Sequence, residues 1–242
     1  MRACPSHSSL LKPGETVDAF LQGRLRLIQS AEGYRFSVDA ALLSDFVTTA
    51  PGDRVVDLGA GCGVIGLMLL TTRPIDHVIC LEIQSTLADQ ALRNAALNGF
   101  SHKMSVIIGD MRSAPLSSSA ADVVICNPPY RAAKSGRMNP HAAKAIARHE
   151  ILASLNDVLS AATRVLKPKG HLGMVYPAGR LTDLLAMMRG FDLEPKRMMI
   201  QYSGREGEAK LVFVEAARGG RAGLKILPPL MDQGRFSISN AT

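Results

Sequence analysis

Between Arg54 and Ala216 short apolar runs alternate with longer helix-like stretches, and this alternation limits the available folds more than any other feature of the chain. Arg54 to Leu58, His77 to Glu82, Met104 to Ile108, Asp122 to Cys126 and His171 to Tyr176 are rich in Val, Ile, Leu and Cys and read as buried strands. Helices are predicted between them over Gly63 to Thr71 and Thr86 to Leu97, the second ending at Asn98-Gly99, a pair suited to a helix C-terminus. A long helix is predicted from about Ala143 to Leu166, stopping before Pro168, and another from Arg180 to Arg189. Two last strands, Lys196 to Gln201 and Lys210 to Ala216, have no helix between them and are expected to form an antiparallel hairpin at one edge. The pattern predicts an α/β fold with a mostly parallel, seven-stranded sheet covered by helices on both faces.

Ahead of this core, residues 1–22 are expected to form a loose arm. Arg24 to Ile28 is read as a strand pairing with Tyr34 to Phe36 across Ser30 to Gly33, and Ser37 as the N-cap of a helix from Val38 to Val47. The expected organisation is therefore an arm over 1–22, one domain over 23–218 that includes the hairpin and first helix, and a tail over 219–242. With 242 residues and 47% hydrophobic content, one domain with a sizeable core is expected. No apolar run approaches the roughly 20 residues that cross a bilayer, and Met1 to Ser9 lacks the apolar stretch of a secretory signal. The cysteines (Cys4, Cys62, Cys80 and Cys126) are scattered with no Cys-x-x-Cys pair, which favours reduced core thiols in a cytoplasmic protein and argues against a metal. The formal net charge of +7 favours a polyanionic partner, nucleic acid being the common one.

The first strand feeds a glycine-rich turn, VVDLGAGCGVIG over Val55 to Gly66, which opens a helix. Glycine lets backbone approach a ligand closely, and a helix N-terminus offers free N–H groups. Gly61, Gly63 and Gly66 match the spacing of a dinucleotide loop, and Glu82 follows Gly61 by 21 residues, where a ribose-binding acid belongs. The rival ligand is S-adenosylmethionine. Asp57 decides between them: it sets a carboxylate two residues before Gly59, where it would repel a pyrophosphate but suit a ligand carrying ammonium and sulfonium charges. Glu82 can accept hydrogen bonds from ribose hydroxyls. Asp110 could accept an adenine amino group, with Met111 packing on the ring. Each acid alone is as easily a solvated strand end, but acids after successive strands share the carboxyl edge at which open α/β sheets bind ligands.

The fourth strand ends in Asn127-Pro128-Pro129-Tyr130. Each proline fixes its own φ and biases the preceding residue to extended geometry. Pro129 has no N–H, so the Pro128 carbonyl can face outward beside the Asn127 side-chain oxygen, and Tyr130 adds an aromatic plane. Two fixed acceptors beside a ring suit a planar substrate bearing an NH2 group, as in adenine, cytosine or a glutamine amide. Holding both hydrogens would draw the nitrogen lone pair out of conjugation and aim it at a methyl donor.

On these residues the span from about Arg24 to Ala216 resembles the amino-methylating branch of the class I methyltransferases. Within it, GYRFSVDAALLSDF before the glycine loop and the NPPY, NP and ARHE segments after the fourth strand resemble the bacterial tRNA adenine-N6 methyltransferases, which modify the adenine beside the anticodon of a valine tRNA. The resemblance implies a Rossmann-like fold, S-adenosylmethionine as cofactor and tRNA as partner. It implies that Asn127, Pro128, Pro129 and Tyr130 hold the target amine. Asp57, Gly59, Gly61, Gly63, Glu82, Asp110 and Met111 would hold the cofactor, with Asn127 beside it and Phe36 and Asp39 in a bordering segment. Arg131, Lys134 and Arg137 follow the corner in a segment rich in Gly and Asn-Pro, and are candidates to grip RNA phosphates. The alternatives are a glutamine methyltransferase acting on release factors, which usually carries an added N-terminal helical domain, and a DNA adenine methyltransferase, which needs a separate target-recognition region. An NAD-binding oxidoreductase, opposed by Asp57, and a non-catalytic RNA chaperone stand as readings of a different class.

Overall fold

The structure, a computed structural model, describes residues 10–32, 36–128, 153–204 and 207–231. Its strands are β1 (Glu15–Phe20), β2 (Leu25–Ser30), β3 (Arg54–Leu58), β4 (His77–Glu82), β5 (Met104–Ile108), β6 (Ala121–Cys126), β7 (Leu166–Pro177), β8 (Leu193–Tyr202), β9 (Ala209–Arg218), β10 (Lys225–Ile226) and β11 (Leu230–Met231). The helices are α1 (Val38–Phe46), α2 (Val64–Thr72), α3 (Ser85–Leu97), α4 (Leu155–Val165) and α5 (Leu181–Gly190).

The main sheet runs β10-β8-β9-β7-β6-β3-β4-β5, with β11 also on β8. Pairings from β5 through β7 are parallel, whereas β9 is antiparallel to both β7 and β8. The seven long strands and the terminal hairpin are those expected from the sequence. After β3 the chain winds outward to β4 and β5, then returns to place β6 on the other side of β3. The carboxyl ends of β3 and β6 therefore flank the point where strand order reverses, which is where such sheets open a ligand crevice.

Successive residues of each central strand feed opposite layers, as the pleat requires. Val55, Val78, Cys80, Val123, Ile125 and Phe213 join the core under α1, α2 and α3. Val56, Leu81, Val124, Cys126, Val212 and Val214 join the core under α4 and α5. Both faces are buried, so the strands read as continuous apolar runs. Helix α2 lies unusually close to the sheet: a Cβ on Gly66 would come within 2.7 Å of Val78 Cγ1. No helix among the described residues is long and apolar enough to cross a membrane.

Several expectations are corrected. The structure pairs β2 with β1, with Phe20 opposite Leu25; of the stretch Tyr34 to Phe36 expected to pair with it, residues 34 and 35 lie outside the described residues and Phe36 is irregular. The hairpin closes through Leu21, Gln22 and Gly23, at φ 49, 57 and 84. Left-handed backbone at a leucine is uncommon, and neither Leu21 nor Gln22 marks a turn. Part of the expected loose arm is thus an anchored strand. Helix α4 starts at Leu155 behind a capping box, in which Ser154 Oγ accepts from the Asp157 amide and the Asp157 carboxylate accepts from the Ser154 amide. The part of the long predicted helix before residue 153 lies outside the described residues. Within the expected tail, β10 and β11 each add two residues parallel to β8.

Candidate active site

Asp57 is the penultimate residue of β3 and faces the α2 layer, with strands on both sides and 1% of its surface exposed. Neither carboxyl oxygen has a hydrogen-bond partner. Burial, and after it the charge of Glu82, push its pKa up to about 8; the Gly66 amide in the first turn of α2 opposes the shift without closing a hydrogen bond. A buried acid left unpaired needs a reason, and a cationic group arriving from the adjacent crevice would give it one.

The glycine turn is pinned from behind, where the Gly59 and Ala60 amides donate to the Leu81 carbonyl at 2.8 and 3.1 Å. Its front is open. Gly59 and Gly61 have φ of 76 and 56, and a Cβ on Gly61 would meet nothing within 4 Å. Gly63 serves packing instead, since a Cβ there would lie 2.5 Å from Met104 Cε. Glu82, at the end of β4, is aimed by two backbone amides: Oε2 accepts from Gly61 at 2.8 Å and Oε1 from Gln84 at 2.9 Å. Asp110, just past β5, is gripped by the Arg112 guanidinium at 2.5 to 3.0 Å, which holds its pKa below the usual carboxylate range. Met111 and Asp110 line a small cleft with Gly59, Leu81, Ile83 and Ala153.

β6 carries Asn127 and Pro128 to the same edge. Cys126 is in register with Leu58, and its thiol donates to the Leu58 carbonyl at 3.2 Å, so the corner begins one strand away from the glycine turn. Pro129, Tyr130, Arg131, Lys134 and Arg137 lie outside the described residues. Phe36 packs edge-on against Phe20, with ring centroids 5.0 Å apart, and donates its amide to Gln29. Asp39, in the first turn of α1, accepts from Ser37 Oγ at 3.0 Å. The site thus gathers Asp57, Gly59, Gly61, Glu82, Asp110, Met111 and Asn127 along one sheet edge. Sequence reading missed Arg164, whose guanidinium donates to the Ala114, Leu116 and Met111 carbonyls and so holds the loop beyond Asp110. It also missed Asn94, a polar residue beside Ala91 and Ala95 on the apolar stripe of α3.

The fold is that of a class I methyltransferase. A family model described as the methyltransferase small domain matches residues 35–185, and the chain belongs to that family. A relative from Aeromonas hydrophila, named tRNA1(Val) (adenine(37)-N6)-methyltransferase, is 29% identical over 186 residues, covering 76% of this chain and 77% of its own. One of the same name from Porphyromonas gingivalis is 30% identical over 190 residues, covering 75% and 74%. Among solved structures, a protein described as a predicted O-methyltransferase from Agrobacterium tumefaciens superposes with a TM-score of 0.65 at 20% identity, over 83% of this chain and 95% of its own. A geranyl diphosphate C-methyltransferase from Streptomyces coelicolor, solved with S-adenosyl-L-homocysteine, gives 0.55 at 17% identity, over 75% and 80%.

Proposed function

We propose that this chain transfers a methyl group from S-adenosylmethionine to the N6 amine of an adenine in tRNA, the position being adenine 37 of a valine tRNA as in the names of its relatives. The observation that carries the cofactor half is the buried, unpaired Asp57 carboxyl behind an open glycine turn. When bound, the cofactor supplies a methyl group activated by a positively charged sulfur. An ammonium near Asp57 would ionise the acid and offset its desolvation, whereas a pyrophosphate would not. Glu82, already aimed by the Gly61 amide, receives the ribose hydroxyls, and Asp110 and Met111 take the adenine end.

On the substrate side the Asn127 side-chain oxygen and the Pro128 carbonyl accept the two hydrogens of the target amine, and Tyr130 stacks on the base. The stretch needs no strong base: fixing both N–H bonds orients the lone pair, and the displaced proton leaves to solvent. An adenine must be unpaired or flipped to enter, which an anticodon loop allows at little energetic expense. Arg131, Lys134 and Arg137 grip phosphates beside the pocket. A tRNA substrate places the protein in the cytoplasm, where the buried Cys62, Cys80 and Cys126 remain thiols. Incubation of the purified protein with labelled S-adenosylmethionine and total tRNA, followed by nucleoside mass spectrometry, tests the reading. N6-methyladenosine is expected; label on protein glutamine, or on no nucleoside, contradicts it.

A further inference from the structure

Asn94 on α3 and Asn98 at its C-cap, one turn apart, stand in for a missing strand. β2 pairs with β1 along one edge, and on the other edge Arg26 and Ile28 turn their peptide groups toward α3. Asn98 meets Arg26: its Oδ1 accepts from the amide at 2.9 Å and its Nδ2 donates to the carbonyl at 2.7 Å. Asn94 meets Ile28 in the same way, at 2.6 and 3.1 Å. Their remaining bonds differ, Asn98 Nδ2 also donating to the Asn94 carbonyl at 2.8 Å. Asn94 is fully buried, and its Nδ2 also donates, at 3.0 Å, to the carbonyl of Cys62, the residue between Gly61 and Gly63. Both Nδ2 protons are therefore used, one on the hairpin and one on the glycine turn.

The hairpin extends the connection. Gln29, 2% exposed, accepts from the Phe36 amide through Oε1 and donates to Asp18 through Nε2. Phe20 packs on Phe36. One buried carboxamide thus ties the hairpin to the glycine turn, and a second ties it to the segment leading into α1.

We propose that Asn94 is a positioning residue for the cofactor, fixing the Cys62 peptide so that the Gly61 amide meets Glu82, and that the N-terminal hairpin is thereby coupled to cofactor binding. The proposal rests on the reading of residues 59–63 as the cofactor turn. An apolar side chain at 94 would strand the Cys62 carbonyl and both polar groups of Ile28 in the core, and a buried unpaired group is costly. The Asn94→Asp change is narrower, because a carboxylate can still accept from the Ile28 amide but can donate to neither the Ile28 nor the Cys62 carbonyl.

Calorimetry with S-adenosylhomocysteine tests the coupling. Asn94→Asp is expected to weaken binding by about tenfold or more, raising the KM for S-adenosylmethionine while kcat and the KM for tRNA stay near wild type. Asn98→Ala, which removes the two Arg26 bonds and one to the Asn94 carbonyl but leaves the Asn94–Cys62 bond in place, is expected to lower the melting temperature and leave affinity within about twofold. Equal affinity losses in both variants, or wild-type affinity in Asn94→Asp, would overturn the proposal. The wild-type protein gives a test that needs no variant: linkage is reciprocal, so saturating ligand should slow hydrogen exchange of the Ile28 amide, and unchanged exchange at Ile28 in a protein that binds ligand contradicts the coupling. A wild-type protein that binds no S-adenosylhomocysteine would instead contradict the assignment of the cofactor.

Discussion

Asp57 shows what a single residue reveals in sequence and what it conceals. An acid two residues before a glycine turn at a strand's end was enough to choose between cofactors. Its complete burial and lack of partners depend on β4 and β6 closing in from either side, which no local pattern encodes. The consequence is a stability penalty with a defined sign. Folding raises the pKa from 3.8 to about 8, so the folded state binds the extra proton, and stability falls as pH rises between those values and levels off above them. Asp57→Asn is expected to stabilise the cofactor-free protein by about 1–3 kcal/mol at pH 9, with less gain at pH 5, in urea unfolding. The same change should weaken binding of S-adenosylmethionine and abolish the proton released when the wild-type acid ionises, read as buffer-dependent heat at pH 7. At the corner, Asn127→Ala should reduce kcat by about a hundredfold or more with cofactor affinity near wild type, since removing an oriented transition-state contact typically has that effect; retained turnover would remove Asn127 from the chemistry.

Among elements, the strands and helices of the core were readable because a sheet buried on both faces leaves continuous apolar runs. The start of α4 was also readable in principle, as Ser154 and Asp157 form a capping box. The hairpin was not, because a Leu-Gln turn carries no glycine or asparagine at its first two positions and the polar anchors of β1 lie far along the chain. Arg93, on α3, donates to the Glu15 carboxylate at 2.6 and 2.7 Å and to the Leu10 carbonyl, with both side chains of the ion pair nearly enclosed. The Arg93 guanidinium lowers the Glu15 pKa from 4.5 to about 2. The ionised form is the one the fold favours, so this stabilisation is full above pH 4.5 and fades as pH falls toward 2. Glu15→Gln is expected to cost about 1–3 kcal/mol at neutral pH, a deficit that shrinks across that acid window when unfolding is followed by circular dichroism. In the segment after the corner, charge reversal at Arg131 and Lys134 should raise the KM for tRNA several-fold, more at low salt, without altering cofactor binding. Unchanged kinetics would take these residues off the RNA path.

For the molecule as a whole, the alternation of elements predicted a mostly parallel sheet but not its strand order, and it is strand order that turns separate motifs into a site. Asp57, Glu82 and Asp110 are spread over three strands, and Asn127 arrives from a fourth; the reversal between β3 and β6 sets Asn127 beside the glycine turn. What remained illegible was the network that holds them, Asn94 and Arg164 above all, because a polar residue on an apolar helix face does not announce its distant backbone partner. The central claim is that this edge methylates one anticodon-loop adenine. It is tested most directly by reacting the protein with unmodified valine tRNA and with the same tRNA carrying guanine at position 37, then mapping methylated oligonucleotides by mass spectrometry. The account predicts a single N6-methyladenosine in the fragment containing adenine 37 and no product from the substituted tRNA; methylation elsewhere in the wild-type tRNA, or equal methylation of both, would contradict it.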